Sequence, residues 1–541
     1  MGSGDRAGCR PQKRYTKLTF GKTACLATAL CLFAAVALVY APVISDHPFA
    51  YDEADYMWAG KQGLWANYSD EHGISFVEFV RKGLELSHDA GKRQSLSEYI
   101  RSTGDIEFYR HYHGPMYAYW LALLQHAGVR QENVFRGASL TIHFATAILI
   151  LFGMWALFPS LPPVAGLTAC ALYVFDRAAM TAATAVTQHV LFAFFSIASL
   201  VACSMFLRRL EARWFYAALA LIAWAICTVE TSVLLLGALG LAMLVEHRRV
   251  REKWPTIGAF GGLLLRGAGV FLLAVLIVWP LGLLKLGAAK GYLMLIYFAL
   301  SRKTYTTQGP LALWRAIFQS SPWEFSLLIP GVIASFALWR RFAQRRELLP
   351  WLAFIALFLL VLLKMTVPYQ YYYAPLTAAF AVATGVTFGI LWNRCPPAAR
   401  AVLALAVVVS AIGTTLVTRE AFRDAKAARP SNAAVLRALG ENPGVEHGQL
   451  YVPYQMVPML HYYHPEIRTV GYDFDFPVPR LADGVLSRDA APIMFCEASF
   501  CDALERTVPG FAAQKTLLDR PGPNGQPFYL VQIRNSGAYK N

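Results

Sequence analysis

Three segments carry residue types suited to chemistry, and each borders a long apolar run. The first is FAYDEADYMWAG, which places Asp52, Glu53 and Asp55 shortly after an apolar stretch. Carboxylates so near a bilayer are costly unless they have partners or water. In a water-poor interfacial pocket such a group can serve as a general base or gather a divalent cation. The same acids would also suit a solvated helix start, near the positive end of the helix dipole.

The second segment is FYRHYHGPMYAYWLALL, residues 108–124. Arg110, His111 and His113 precede Gly114-Pro115, and a helix with Tyr117, Tyr119 and Trp120 follows. The basic residues suit a phosphate; the aromatics suit either a pocket or ordinary anchoring at a membrane interface. The third is KMTVPYQYYYAPLTAAF, residues 364–380, where Lys364 and the tyrosines at 369, 371, 372 and 373 would meet an anionic head group. An aromatic belt would look similar.

What must position these segments is a set of helices dissolved in lipid. Of the 541 residues, 56% are hydrophobic and only 15% charged, against ~25% charged in soluble domains. Apolar runs of membrane-spanning length recur from Thr23 to Thr418. The net charge of +15 is not a nucleic-acid footprint, because Lys and Arg fall in short stretches between apolar runs, where they orient helices.

Alternating the basic loops to the cytoplasm gives about eleven spans: 23–44, 136–158, 162–182, 189–207, 214–228, 230–246, 267–288, 323–339, 349–365, 370–391 and 400–418. The N-terminus, residues 1–22, is then basic and cytoplasmic, and the C-terminus lies outside. Residues 23–418 form a membrane module with two extracytoplasmic loops, 45–114 and 289–322. The apolar stretch 115–128 is too short to span and reads as a helix embedded from the outer face. Residues 291–301 read as a similar surface-lying helix. Beyond 418 the runs shrink to strand length. Segments 449–454, 467–472, 492–498 and 528–534 read as strands, with helices at 432–439 and 457–463, so 419–541 is expected to be a small extracytoplasmic α/β domain. There, Cys496 and Cys501 suit a disulfide.

In order and spacing, the three segments resemble the GT-C superfamily of membrane glycosyltransferases, in the branch of protein O-mannosyltransferases and lipid A aminoarabinose transferases. The residues that carry the resemblance are Asp52, Glu53 and Tyr56; His113, Pro115 and Tyr117; Phe135 and Arg136; and Tyr372, Pro375 and Leu376. The chain departs from the family where an Asp often precedes the fourth span, since Thr187-Gln188-His189 stands there. It departs again where Glu230-Thr231-Ser232 replaces Lys-Gly-Pro.

The resemblance implies an all-α polytopic membrane enzyme that moves a sugar from a polyprenyl-phosphate donor to a lipid, glycan or protein acceptor. It implies Asp52 as base, with Glu53 orienting it or the acceptor. Cations must meet the departing phosphate, where fixed charge in a water-poor site counts most; Arg110, Lys303, Arg302 and Lys364 are the candidates, in that order. Tyr56, Tyr117, Tyr369 and Tyr372 would line the substrate site. His111, His113 and His189 would donate hydrogen bonds, or ligate a divalent metal with Glu53. No other cofactor is implied. The expected location is a multi-pass cell membrane, a bacterial inner membrane. The competing readings are a secondary transporter or lipid flippase, for which intramembrane Glu230 would speak, and a non-catalytic scaffold. The absence of an internal repeat weighs against a transporter.

Overall fold

The computed structural model describes residues 12–62, 81, 114–280, 318–319, 321–362, 370–428, 430–441, 449–472, 493–507, 512–523 and 525–534. Its helices, in chain order, are α1 (Gln12–Tyr40), α2 (Tyr51–Gln62), α3 (Met116–His126), α4 (Glu132–Leu157), α5 (Pro163–Val174), α6 (Arg177–Ala183), α7 (His189–Arg209), α8 (Ala212–Ile226), α9 (Val233–Val245), α10 (His247–Lys253), α11 (Ile257–Val278), α12 (Pro322–Leu338), α13 (Arg345–Leu362), α14 (Ala374–Arg394), α15 (Pro397–Ala427), α16 (Ser431–Glu441), α17 (Val457–Tyr463) and α18 (Ala498–Thr507).

A helix lies at each expected span, and among the described residues seven are long and apolar enough to cross a membrane. Helices α5, α8 and α9 are apolar but shorter. The fold is therefore the expected one, a polytopic helical membrane protein with a small C-terminal α/β domain.

Two spans differ from their expected bounds. Residues 162–182 are not one helix: α5 stops at Val174, and Asp176 caps α6 by accepting the Ala179 N–H at 2.5 Å. An Asp that satisfies an orphan N–H starts a new helix instead of continuing the old one. The span expected at 267–288 runs instead from Ile257 to Val278, started by Thr256, whose hydroxyl accepts the Ala259 N–H. Arg266 thus lies inside the helix on an exposed face.

Small residues let the helices close on one another, as expected where lipid is as apolar as any side chain. Helix α14 is buried from Ala374 to Gly389. A Cβ on Gly385 would lie 2.7 Å from Ala169, and one on Gly389 2.7 Å from Ala165, so these glycines set the α14–α5 approach.

The C-terminal domain holds a five-stranded sheet: β1 (Gln449–Pro453), β2 (Arg468–Tyr472), β3 (Ile493–Glu497), β4 (Ala512–Leu517) and β5 (Phe528–Arg534), in the order β2-β1-β3-β5-β4. Strand β1 pairs in parallel with β2 and β3; β5 runs antiparallel to β3 and β4. Four strands and two helices of this domain stand where the patterning placed them. Strand β4 and helix α18 were not expected; β4 pairs antiparallel with β5. Cys496 and Cys501 are joined in a disulfide. The segment 291–301 lies outside the described residues.

Candidate functional site

The acidic motif opens helix α2, with Asp52 and Glu53 in its first turn. Asp52 is exposed. Glu53, beside it, is committed: Arg136 donates to it through Nε at 3.0 Å and Nη2 at 2.5 Å, and the Val186 N–H reaches its Oε1 at 2.9 Å. Such a two-point pair is the strong, geometrically specific kind of charge-assisted bond. Arg136 Nη1 also donates to the carbonyls of Ser45 and His47, both at 2.8 Å. One arginine on α4 thus holds the chain on both sides of Asp52.

Tyr51, just before Asp52, has φ +48°, a left-handed conformation that a bulky residue seldom adopts. Strain of this kind persists where the surroundings over-determine it, often at functional sites. The anchors at Ser45, His47 and Glu53 are those surroundings.

Around Asp52 the structure gathers residues distant in sequence. Tyr56, one turn along α2, packs edge-on against Tyr117 with ring centroids 5.7 Å apart. Burial raises the Tyr56 phenol well above its ordinary pKa, and the nearby Asp52, Tyr372, Tyr371 and Asp55 push it the same way. Tyr56 is therefore a neutral donor. His189, at the start of α7 and almost fully buried, lies 4.4 Å from the Tyr372 ring and 5.1 Å from that of Tyr371, which stack on each other at 5.0 Å. Of the sequence candidates, Asp52, Tyr56, Tyr372 and His189 thus converge.

Tyr117 is buried, with its hydroxyl 3.4 Å from Ser139 Oγ. It supports Tyr56 from behind and does not anchor at a lipid interface. Gly114 is required here: a Cβ would lie 2.0 Å from the Cys227 carbonyl oxygen, which accepts the Met116 N–H at 3.2 Å. That close approach fixes the entry of α3.

Arg110, His111, His113, Arg302, Lys303, Lys364 and Tyr369 lie outside the described residues. Among the described residues, no group of three or more His, Cys, Asp or Glu side chains is arranged to hold a metal ion.

The sequence placed Arg136 among the residues that carry the resemblance but gave it no task, and it gave none to Phe49 or Tyr463. Arg136 had a signal, a cation near the start of a long apolar helix. The other two had none beyond an aromatic side chain. Also unforeseen is a buried carboxyl pair beside α6. Asp176 Oδ1 accepts from Thr377 Oγ1 at 2.9 Å, while Glu324 Oε2 accepts from Ser321 Oγ at 2.8 Å and from the Arg177 N–H, next to Asp176, at 3.3 Å.

The fold is shared with known proteins. A family model described as dolichyl-phosphate-mannose-protein mannosyltransferase matches residues 112–272. No curated protein matches by sequence alone. Among solved structures, ArnT from Cupriavidus metallidurans, bound to undecaprenyl phosphate, aligns at 14% identity with a TM-score of 0.58, covering 93% of this chain and 97% of that one. The oligosaccharyltransferase of Archaeoglobus fulgidus in its apo form aligns at 10% identity and TM-score 0.53, covering 94% and 74%. The same organism's AglB, with an inhibitory peptide and a dolichol-phosphate, aligns at 10% identity and TM-score 0.50, covering 95% and 75%. The resemblance read from the sequence is borne out: this chain has a GT-C fold and is similar to the branch that contains ArnT and the protein mannosyltransferases.

Proposed function

We propose that this chain is an integral membrane glycosyltransferase that moves a sugar from a polyprenyl-phosphate donor to a lipid, glycan or protein acceptor. The observation that carries the reading is the setting of Asp52. It is exposed at the start of α2, its neighbour Glu53 is locked by Arg136, and Tyr56, Tyr371, Tyr372 and His189 gather beside it. The likeness in fold to proteins bound to undecaprenyl phosphate or dolichol-phosphate supports the class of donor.

The acceptor oxygen attacks the anomeric carbon, the bond from that carbon to the phosphate oxygen breaks, and the phosphate leaves with the polyprenyl chain. Asp52 takes the acceptor proton, a role worth typically 10²–10⁴-fold in rate. Glu53 keeps Asp52 oriented through Arg136. Tyr56 donates from its neutral phenol. Charge on the departing phosphate falls to Arg110, Lys303, Arg302 and Lys364. Where the acceptor is itself an anion, Asp52 positions it and takes no proton.

The site faces the extracytoplasmic side of a bacterial inner membrane, with the N-terminus in the cytoplasm. Two features support that orientation: the basic loops at Arg208–Arg213 and Arg340–Arg346, which favour the cytoplasm, and the disulfide of the C-terminal domain, which suits an oxidising compartment.

The test is transfer of radiolabelled sugar from a panel of polyprenyl-phosphate sugars in membranes, wild type against Asp52→Asn. Consumption of one donor by wild type, lost in the variant with the protein still folded, is the expected result. Folded wild type that consumes no donor would move the transporter reading forward.

A further inference from the structure

We infer that Tyr463, in the C-terminal domain, is a positioning residue for Asp52, so that this domain is part of the catalytic apparatus and not a separate module. The inference rests on the proposed function.

Helix α17 grips the polypeptide on both sides of Asp52. On the upstream side, the Tyr463 hydroxyl accepts the Phe49 N–H at 2.9 Å and donates to Glu132 Oε1 at 2.8 Å. The Phe49 ring is caged, with centroids 5.9 Å from Phe135, 5.6 Å from Tyr462 and 6.3 Å from Tyr463, and with the Arg136 guanidinium 5.1 Å above it. Farther upstream, His47 Nε2 meets the Lys426 carbonyl at 2.6 Å, at the end of the helix that leads into the domain. On the downstream side, Trp58 packs on His461 at 5.5 Å, while Lys61 Nζ donates to the Tyr462 carbonyl at 2.5 Å and lies 4.1 Å from its ring centroid.

Aromatic packing alone would dock the domain. The Tyr463 hydroxyl adds something docking does not need. It bridges the main chain three residues before Asp52 to Glu132, on the first turn of the helix that also carries Arg136. The left-handed Tyr51 and the Arg136–Glu53 pair lie between these grips. The hydroxyl therefore sets the distance between the Asp52 loop and the arginine that holds Glu53. Burial, and then Glu132, raise the Tyr463 phenol above its ordinary pKa, which keeps it a donor.

The experiment uses the full chain and compares Tyr463→Phe, Glu132→Leu and Glu132→Gln with wild type. It measures kinetics on whichever polyprenyl-phosphate sugar wild type consumes. It also follows hydrogen exchange of the segment 47–53. A misplacement of about 1 Å can cost on the order of 10²-fold in rate. Tyr463→Phe and Glu132→Leu are expected to lower kcat about 10- to 100-fold with donor KM within about twofold, and to speed exchange of the Phe49 amide. Glu132→Gln keeps an acceptor for the hydroxyl and should restore most of both. Unchanged exchange at Phe49 in Tyr463→Phe overturns the inference, whether or not a donor is found. A kcat within about twofold of wild type overturns it too. Donor consumption by none of the proteins, wild type included, strikes the functional reading instead.

Discussion

The Glu53 carboxylate and the Arg136 guanidinium meet edge to edge, and the second face of that arginine holds the carbonyls of Ser45 and His47. The arginine side chain is only 5% exposed. Its positive charge is matched by one carboxylate and two carbonyl dipoles, so little is left to desolvate. Asp52, adjacent to Glu53 in the chain, is placed by this arrangement.

Removing one partner of a buried pair should cost about 3–5 kcal/mol, because the other charge is left uncompensated. Arg136→Ala is therefore expected to lower the detergent-solubilised melting temperature sharply. Arg136→Lys loses the planar fork and should recover only part. The double variant Glu53→Gln with Arg136→Met should be more stable than Arg136→Ala. Equal melting temperatures for all three would show that the pair does not hold the loop.

Tyr56 should not titrate in the working range. Its phenol is pushed well above the ordinary value near 10, so it stays protonated as pH rises to that value. The pH–rate profile of wild type should then have no basic limb that vanishes in Tyr56→Phe. That variant should lose rate at every pH alike. A basic limb present in wild type and absent in Tyr56→Phe would contradict the buried, neutral phenol.

Asp176 and Glu324 are both buried, and Glu324 accepts the N–H of Arg177, next to Asp176 in the chain. A neutral amide of the same shape avoids burying a second charge beside Asp176 and still accepts from Ser321, so Glu324→Gln should keep or raise thermal stability. Glu324→Ala leaves the Ser321 hydroxyl and the Arg177 N–H without their acceptor and should cost about 1–3 kcal/mol. Melting curves of the two variants in detergent decide this. Destabilisation of Glu324→Gln as severe as that of Glu324→Ala would show that a neutral isostere does not fit the site.

The Cys496–Cys501 disulfide closes a short loop, with the two cysteines five positions apart. Chain-entropy bookkeeping for such a loop gives about 2 kcal/mol. Cys496→Ser with Cys501→Ser should lower resistance of the C-terminal domain to proteolysis while leaving the membrane helices intact. Proteolysis at the wild-type rate would show that the sheet holds without the crosslink.

The sequence by itself determined the helical membrane architecture. Runs such as Thr23–Ile44 and Val190–Leu207 are apolar over roughly a bilayer's thickness, and water-free surroundings leave a helix as the conformation that satisfies their main chain. Local order was equally legible for β1, β5 and helix α17, whose apolar periods match their elements. So was the acidic motif, because carboxylates beside an apolar run stand out without any partner. What the sequence does not contain is the partner. Glu53 and Arg136 are 83 positions apart, and Phe49 and Tyr463 are 414 apart. Nothing local distinguishes Tyr463 from its neighbour Tyr462, and nothing ties Asp176 to Glu324. These pairings arise only when helices separated by long stretches of chain pack together. The tertiary structure alone therefore decided that Glu53 is a holder, that Asp52 is the exposed carboxylate beside it, and that the C-terminal domain reaches the motif's two flanks.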